Sequence, residues 1–252
     1  MNTKYTVTIG WLYPDLMNIY GDRGNIIVLQ KRCEWRGIGV HLKQIVVGSS
    51  EKELASCDLL MMGGAQDSQQ TIVAKDLQKK KKLFSRMIEE EVPGLYICGG
   101  FQYLGQYYKE ADGTIIDQLG VLDVYTENPG GERLIGNIAV DASEFFGKET
   151  VLVGFENHGG RTRLGSDVKP LGLVLKGFGS NAEDRTEGAV YKNSIGTYFH
   201  GPILPKNPEL ADWLIAKALR KKYNREVALE RIDDSLAYTA RKVILSRLLV
   251  HS

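Results

Sequence analysis

Leu95-Tyr96-Ile97-Cys98-Gly99-Gly100-Phe101-Gln102-Tyr103-Leu104 decides how this chain folds. Val92-Pro93-Gly94 ahead of it is a turn signal. Leu95 to Cys98 has the length and apolarity of a short buried strand. After the two glycines a helical pattern runs through Phe101, Leu104 and Tyr107. A cysteine at a strand-to-helix junction stands at the carboxyl end of a sheet, where open α/β folds place their ligands. The helix N-terminus favours the thiolate, the nucleophilic form. The glycines allow a tight turn and leave Gly99 N–H open to a substrate. A lone cysteine is more often a buried structural residue; the diglycine directly after Cys98 turns that reading towards chemistry.

Upstream, the pattern alternates. Strands are expected at 5–12, 40–47 and 58–62, and helices at 25–36 and 69–91, with a Pro- and Gly-punctuated loop over 13–25. With the Cys98 strand this is a βαβαβα order, which implies a parallel sheet with helices on both faces. Downstream the rhythm changes to short strands at 121–125, 134–140, 151–157 and 171–177, joined by Gly- and Asp-rich turns. Antiparallel members are therefore expected. A hairpin of 189–191 and 195–199 delivers His200, and helices over 207–223 and 235–249 close the chain. The expected fold is a flavodoxin-like three-layer α/β sandwich with a mixed, mostly parallel sheet. It forms one domain over 1–252, with a C-terminal helical part from about 207.

Composition excludes several classes. The chain has 252 residues, 43% hydrophobic, with a net charge of +1. That gives enough apolar chain for a large core and no global field that would recommend nucleic acid or membrane as a partner. The run Lys79 to Lys82 sits inside a helical pattern and reads as a solvated face. Cys33, Cys57 and Cys98 are odd in number and lack metal spacing, which argues for a reducing compartment and against a disulfide framework. No signal peptide or spanning apolar run is present, so a cytoplasmic protein is expected. Neither His-x-x-x-His nor Cys-x-x-Cys occurs, so no metal site is expected.

Three more stretches accompany Cys98. Gly63-Gly64-Ala65-Gln66-Asp67 follows a buried strand and can expose backbone N–H groups as an oxyanion hole requires. It is no phosphate loop, since Gly-x-x-x-x-Gly-Lys-Ser/Thr is absent from the chain. Phe155-Glu156-Asn157-His158-Gly159-Gly160-Arg161-Thr162 is a Gly-rich turn carrying one histidine. Tyr198-Phe199-His200-Gly201-Pro202 ends a strand on another. Either histidine could pair with the thiol. His200, at a strand end like Cys98, is the better-placed base, able to take the thiol proton and return it to a leaving amine.

Together these stretches resemble the class I glutamine amidotransferase domain. Phe155 to Gly160 resembles its cobyric acid synthase branch. More narrowly, Tyr20-Gly21-Asp22-Arg23-Gly24-Asn25 with Glu156 to Thr162 resembles the glutaminase (GatD-type) subunits of lipid II isoglutaminyl synthase. The resemblance implies hydrolysis of L-glutamine through a γ-glutamyl thioester on Cys98, with His200 as acid/base. Gly64 and Gly99 N–H would form the oxyanion hole. Arg133 would hold the glutamine α-carboxylate in a bidentate fork. Gln102, Asn157, His158 and Gly159 would line the substrate, and Asp22 and Arg23 would meet a partner chain. That partner would be a Mur-ligase-like (MurT-type) synthetase that carries ATP and Mg, reaches lipid II and amidates its D-glutamate. No cofactor is expected in this chain.

Two departures stand out. Tyr96 occupies a position two before the cysteine that is often Gly in the class, and Pro202 one two after the histidine that is often Glu. The group that orients the base is thus open among Glu156, a main-chain carbonyl and a partner's carboxylate. Two other functions stay open: a glutaminase for another ATP-dependent synthetase of the cobyric acid type, and a non-enzymatic flavodoxin-like module with Cys98 as a sensor thiol.

Overall fold

The computed structural model describes residues 3–64 and 67–249. Ala65 and Gln66, from the stretch after the Gly63-Gly64 pair, lie outside the described residues. The first half holds β1 (Thr6–Leu12), α1 (Arg23–Glu34), β2 (Gly39–Ile45), α2 (Glu51–Ala55), β3 (Leu59–Met62), α3 (Asp67–Glu89), β4 (Gly94–Ile97) and α4 (Gly99–Leu104). The second half adds β5 (Tyr107–Lys109), β6 (Ile115–Asp117), β7 (Val124–Glu127), β8 (Leu134–Asp141), α5 (Ser143–Phe146), β9 (Val151–His158), β10 (Arg161–Leu164) and β11 (Gly172–Lys176). It continues with β12 (Thr186–Glu187), β13 (Ala189–Tyr191), β14 (Ser194–Thr197), β15 (Phe199–His200), α6 (Pro208–Tyr223) and α7 (Ser235–Leu249).

The main sheet has the order β13-β14-β4-β3-β1-β2. All its neighbours run parallel except the β13–β14 hairpin. The Leu59–Met62 and Gly94–Ile97 strands are buried along their whole length, as apolar runs covered on both faces must be. The expected sandwich is present. The downstream strands, however, build two further sheets, β10-β7-β5-β6 and β12-β11-β8-β9-β15. Strands β5, β6 and β10 had no sequence signal, because Tyr-Tyr-Lys, Ile-Ile-Asp and Arg-Thr-Arg-Leu are too short to show a period.

One crossing between sheets positions the chemistry. Thr197 pairs with Ile97 at the carboxyl ends of β14 and β4. Cys98 N–H then donates to Thr197 O at 2.9 Å. The chain leaves the main sheet there, and Phe199 and His200 pair with Glu156 and Phe155 of β9 in the five-stranded sheet. Tyr198 is the joint, and it brings the 155–162 stretch over the end of the main sheet. The lysine run departs from expectation. Lys79, Lys81 and Lys82 are exposed, but Lys80 is buried against Asp76, which also accepts from the Tyr13 hydroxyl at 2.8 Å. One helical turn carries both faces, so a run of four must turn one member inward.

Candidate active site

Cys98 occupies a strained elbow. Its backbone stands at φ 51°, ψ −107°, left-handed for a residue with a Cβ. Such strain persists only where the surroundings fix it. Here Cys98 N–H is held by β14, and Gly100 N–H donates to Gly63 O at 3.2 Å. Cys98 is 8% exposed. Gly99 N–H is the first donor of α4 and has no intrahelical partner. Gln102, one turn on, donates its own N–H to Cys98 O.

His200 is fully buried, and around it stand Cys98, Asp22 and Tyr20. Its Nδ1 lies 3.7 Å from Asp22 Oδ1, an ion-pair separation too long for a hydrogen bond. The Tyr20 ring meets it edge-on at 4.7 Å between centroids. Burial is the largest influence on His200 and works to lower its pKa. Cys98 and the Asp22 carboxylate outweigh it and push the imidazole up to about 10. An imidazolium beside a thiolate is the arrangement that thiol acyl transfer needs.

Asp22 is the residue whose placement sequence reasoning missed. It was expected on the surface against a partner, yet it is fully buried beside His200. Pro202 explains how. A Cβ at Gly24 would stand 2.2 Å from Pro202 Cγ, so the loop closes on the 200–202 segment only because position 24 has no side chain. Pro202 therefore packs the loop that carries a carboxylate to His200 from the other side. Arg23, by contrast, is exposed, with its N–H donating to Asn18 Oδ1 at 2.8 Å. The other departure, Tyr96, is a core residue, edge-on to Phe84.

The Gly63-Gly64 pair does lie at this end of the sheet. A Cβ at Gly64 would stand 3.1 Å from His200 Cε1. Its N–H, expected in an oxyanion hole, instead donates to Asp22 Oδ2 at 2.8 Å.

Glu156 does not orient His200. Its oxygens accept from Phe178 N–H at 2.7 Å and Gly179 N–H at 3.0 Å, and its nearest imidazole is His158, at 3.9 Å. His158 is turned inward. It is buried, stacked on Tyr198 at 3.7 Å, with Nδ1 2.7 Å from Gly160 O and Nε2 towards Glu156. Burial lowers its pKa further than Glu156 and the Gly160 carbonyl raise it. It braces Tyr198, whose hydroxyl accepts from Gln102 Nε2 at 3.0 Å and meets Thr162 Oγ1 at 2.6 Å.

The remaining predicted residues converge through Gln102. Its Nε2 would be 2.7 Å from a Cβ at Gly160, so the Gly159-Gly160 turn packs on the cysteine helix. Arg133 borders the same turn. Its Nε donates to Asn157 Oδ1 and one Nη2 hydrogen to Asn157 O, both at 2.8 Å. Asn157 thereby positions the Arg133 guanidinium. Arg161, unanticipated, donates to Gly159 O at 2.8 Å and Glu132 O at 3.0 Å and fixes the turn.

Cys98 at a strained elbow, the buried His200 imidazole, the Gly99 N–H at the start of α4 and the exposed Arg133 are the elements of a cysteine–histidine site at one end of an α/β sandwich. Comparison with known proteins narrows that class. Residues 8–208 match the CobB/CobQ-like glutamine amidotransferase domain. The chain is 44% identical to the GatD subunit of the glutamine-hydrolysing lipid II isoglutaminyl synthase of Streptococcus pneumoniae, over 94% of this chain and 89% of that one. It is 42% identical to the Staphylococcus aureus GatD subunit over 96% of both chains. A solved glutamine amidotransferase superposes with a TM-score of 0.54 at 17% identity, covering 83% of this chain and 98% of that one, a likeness of fold. The chain belongs to the CobB/CobQ-like glutamine amidotransferase family, a family of enzymes.

Proposed function

We propose that this chain is the glutaminase subunit of a lipid II isoglutaminyl synthase. The observation that carries the reading is identity above 40% to two GatD subunits along nearly the whole chain, on a site where Cys98 follows β4 and His200 ends β15. The Cys98 thiolate attacks the side-chain amide carbon of L-glutamine, and the resulting oxyanion draws on Gly99 N–H. His200 gives its proton to the amide nitrogen. The C–N bond breaks, ammonia leaves, and a γ-glutamyl thioester remains on Cys98. Water then attacks the thioester as His200 takes its proton, releasing glutamate and restoring the thiol. Arg133 holds the α-carboxylate, and Gln102 lines the reacting end.

The ammonia passes to a Mur-ligase-like synthetase of the MurT type, which uses ATP and Mg to amidate the D-glutamate of the lipid II stem peptide to D-isoglutamine. ATP is assigned to that partner because this chain has no phosphate loop. Arg23 and the half-exposed Tyr20 put the 19–24 turn at the rim where a partner could act on the site. The test is reconstitution. The chain with its co-purifying synthetase, ATP, Mg and glutamine should convert lipid II to its amidated form, read by mass spectrometry. Restoration of cobyric acid synthesis instead, with lipid II unchanged, would assign the other synthetase.

A further inference from the structure

The buried polar atoms around His200 do not balance. Among the described residues, both His200 ring nitrogens and Asp22 Oδ1 lack a hydrogen-bond partner, and all three atoms are buried. Unpaired buried polar atoms are costly and ask for an explanation. The other Asp22 oxygen holds Gly64 N–H, the donor that the reaction needs elsewhere. One carboxylate thus occupies an oxyanion donor while standing just short of the base.

We infer that Asp22 is a two-position carboxylate: in this structure it holds Gly64 N–H, and in the reacting complex it moves to accept a hydrogen bond from His200 Nδ1–H. Closing 3.7 Å to a hydrogen-bond distance needs a shift of about 1 Å. That one shift does two things. It fixes the tautomer and orientation of His200, so that Nε2 faces the thiol and leaving group. It also frees Gly64 N–H to join Gly99 N–H on the oxyanion. The inference rests on the glutaminase reading and deepens it, with Asp22 as a positioning residue. The carboxylate is on hand for the move because its loop is packed between Pro202 and the Gly63-Gly64 pair. A Cβ at Gly63 would stand 2.7 Å from Asp22 Oδ2. The turn just before it contains Tyr20, which is left-handed at φ 53°, and 46% exposed while its ring lies against His200. A partner pressing on Tyr20 has a direct mechanical route to the carboxylate.

The test separates holding a loop from positioning a base. Asp22→Asn keeps an acceptor for Gly64 N–H but removes the negative charge that His200 Nδ1–H would meet. With the synthetase bound, kcat for glutamine hydrolysis should fall roughly 10³-fold with KM changed by less than about threefold. Independently, the rate of Cys98 alkylation by iodoacetamide should be followed against pH. The thiolate is stabilised by the His200 cation, itself held by Asp22. The midpoint should therefore rise by about one unit or more in Asp22→Asn. Asp22→Glu, which keeps the charge, should restore part of both, and thermal melting checks that each variant folds. Wild-type kcat in Asp22→Asn, or a fall in kcat with an unmoved alkylation midpoint, overturns the inference. If wild-type complex hydrolyses no glutamine, the functional reading fails; the alkylation midpoints still decide whether Asp22 acts on the Cys98–His200 pair.

Discussion

His200 and His158 make a controlled comparison. Each is buried, each lies beside a buried carboxylate, at 3.7 Å and 3.9 Å, and each rests on a tyrosine ring. Yet His200 is pushed up to about 10 and His158 is lowered. The difference lies in the charged groups that face each ring. Around His158, Glu156 is held by two main-chain N–H groups and Nδ1 by Gly160 O; Nε2 has no partner among the described residues, and Glu156 raises the pKa while Arg161 lowers it, too little to offset burial. Around His200, Asp22 keeps an oxygen without a partner among the described residues, and Cys98 acts on the ring to raise its pKa. The closed histidine braces the pocket and the open one can exchange protons.

The sharpest way to break the comparison is to remove the thiol. Cys98→Ser should lower glutamine hydrolysis by at least about 10³-fold while the protein melts within a few degrees of wild type. It should also bring the His200 pKa down, since the thiolate is the first influence raising it. NMR titration of the imidazole reads this, and an unmoved His200 would mean that its proton is held by Asp22 alone.

Next come the histidines themselves. His200→Ala should cost roughly 10³-fold or more in kcat. His158→Ala should mainly weaken binding and stability, because it removes the stack under Tyr198, a contact worth about 0.5 to 1.5 kcal/mol. Steady-state kinetics on both variants gives the split; a kcat collapse confined to His158→Ala would exchange their roles.

A smaller effect is expected at the far end of the crevice. Arg133→Ala should lower kcat/KM about ten- to a hundredfold, as loss of a charge-assisted contact of roughly 1.5 to 3 kcal/mol implies. The loss should be deepest at low glutamine. Wild-type kcat/KM would return Arg133 to a purely structural bond with Asn157.

The smallest effect tests the closed side. Glu187 is buried behind Tyr198, accepting from Thr197 Oγ1 at 2.6 Å and Tyr198 N–H at 2.8 Å, and burial pushes its carboxyl up to about 7. A raised carboxyl binds its proton more tightly in the folded state. Its contribution to stability is therefore complete below the unfolded value of about 4.5 and is lost as pH rises through about 7. Urea unfolding should show wild type losing stability from about pH 5 to about pH 8, and Glu187→Gln losing less. Parallel curves would mean that Glu187 is ionised throughout.

Much of this was legible in the sequence because it rests on local signals. The Cys98 elbow needs only a turn, four buried residues and two glycines, and the βαβ order follows from apolar periodicity. His200 was legible as a strand end, although it belongs to a second sheet that no local pattern announces. Asp22 was not legible. It sits in a polar loop that reads as surface, and its burial depends on Gly24 closing on Pro202, a contact across more than 170 positions. The bracing role of His158 was hidden for the same reason. A Gly-rich turn looks open in sequence, while Tyr198 and Gly160 close it only when two sheets meet.

The central claim is that Cys98 carries the acyl group and that His200 alone of the two histidines releases the ammonia. Rapid acid quench of the complex turning over glutamine, followed by peptide mass mapping, tests it directly. Wild type and His158→Ala should show a γ-glutamyl adduct on the Cys98 peptide, and His200→Ala none. Cys33 and Cys57 should stay unmodified, since burial pushes their thiols up to about 12 and about 11. An adduct that persists in His200→Ala, or that falls on Cys33 or Cys57, would contradict the account.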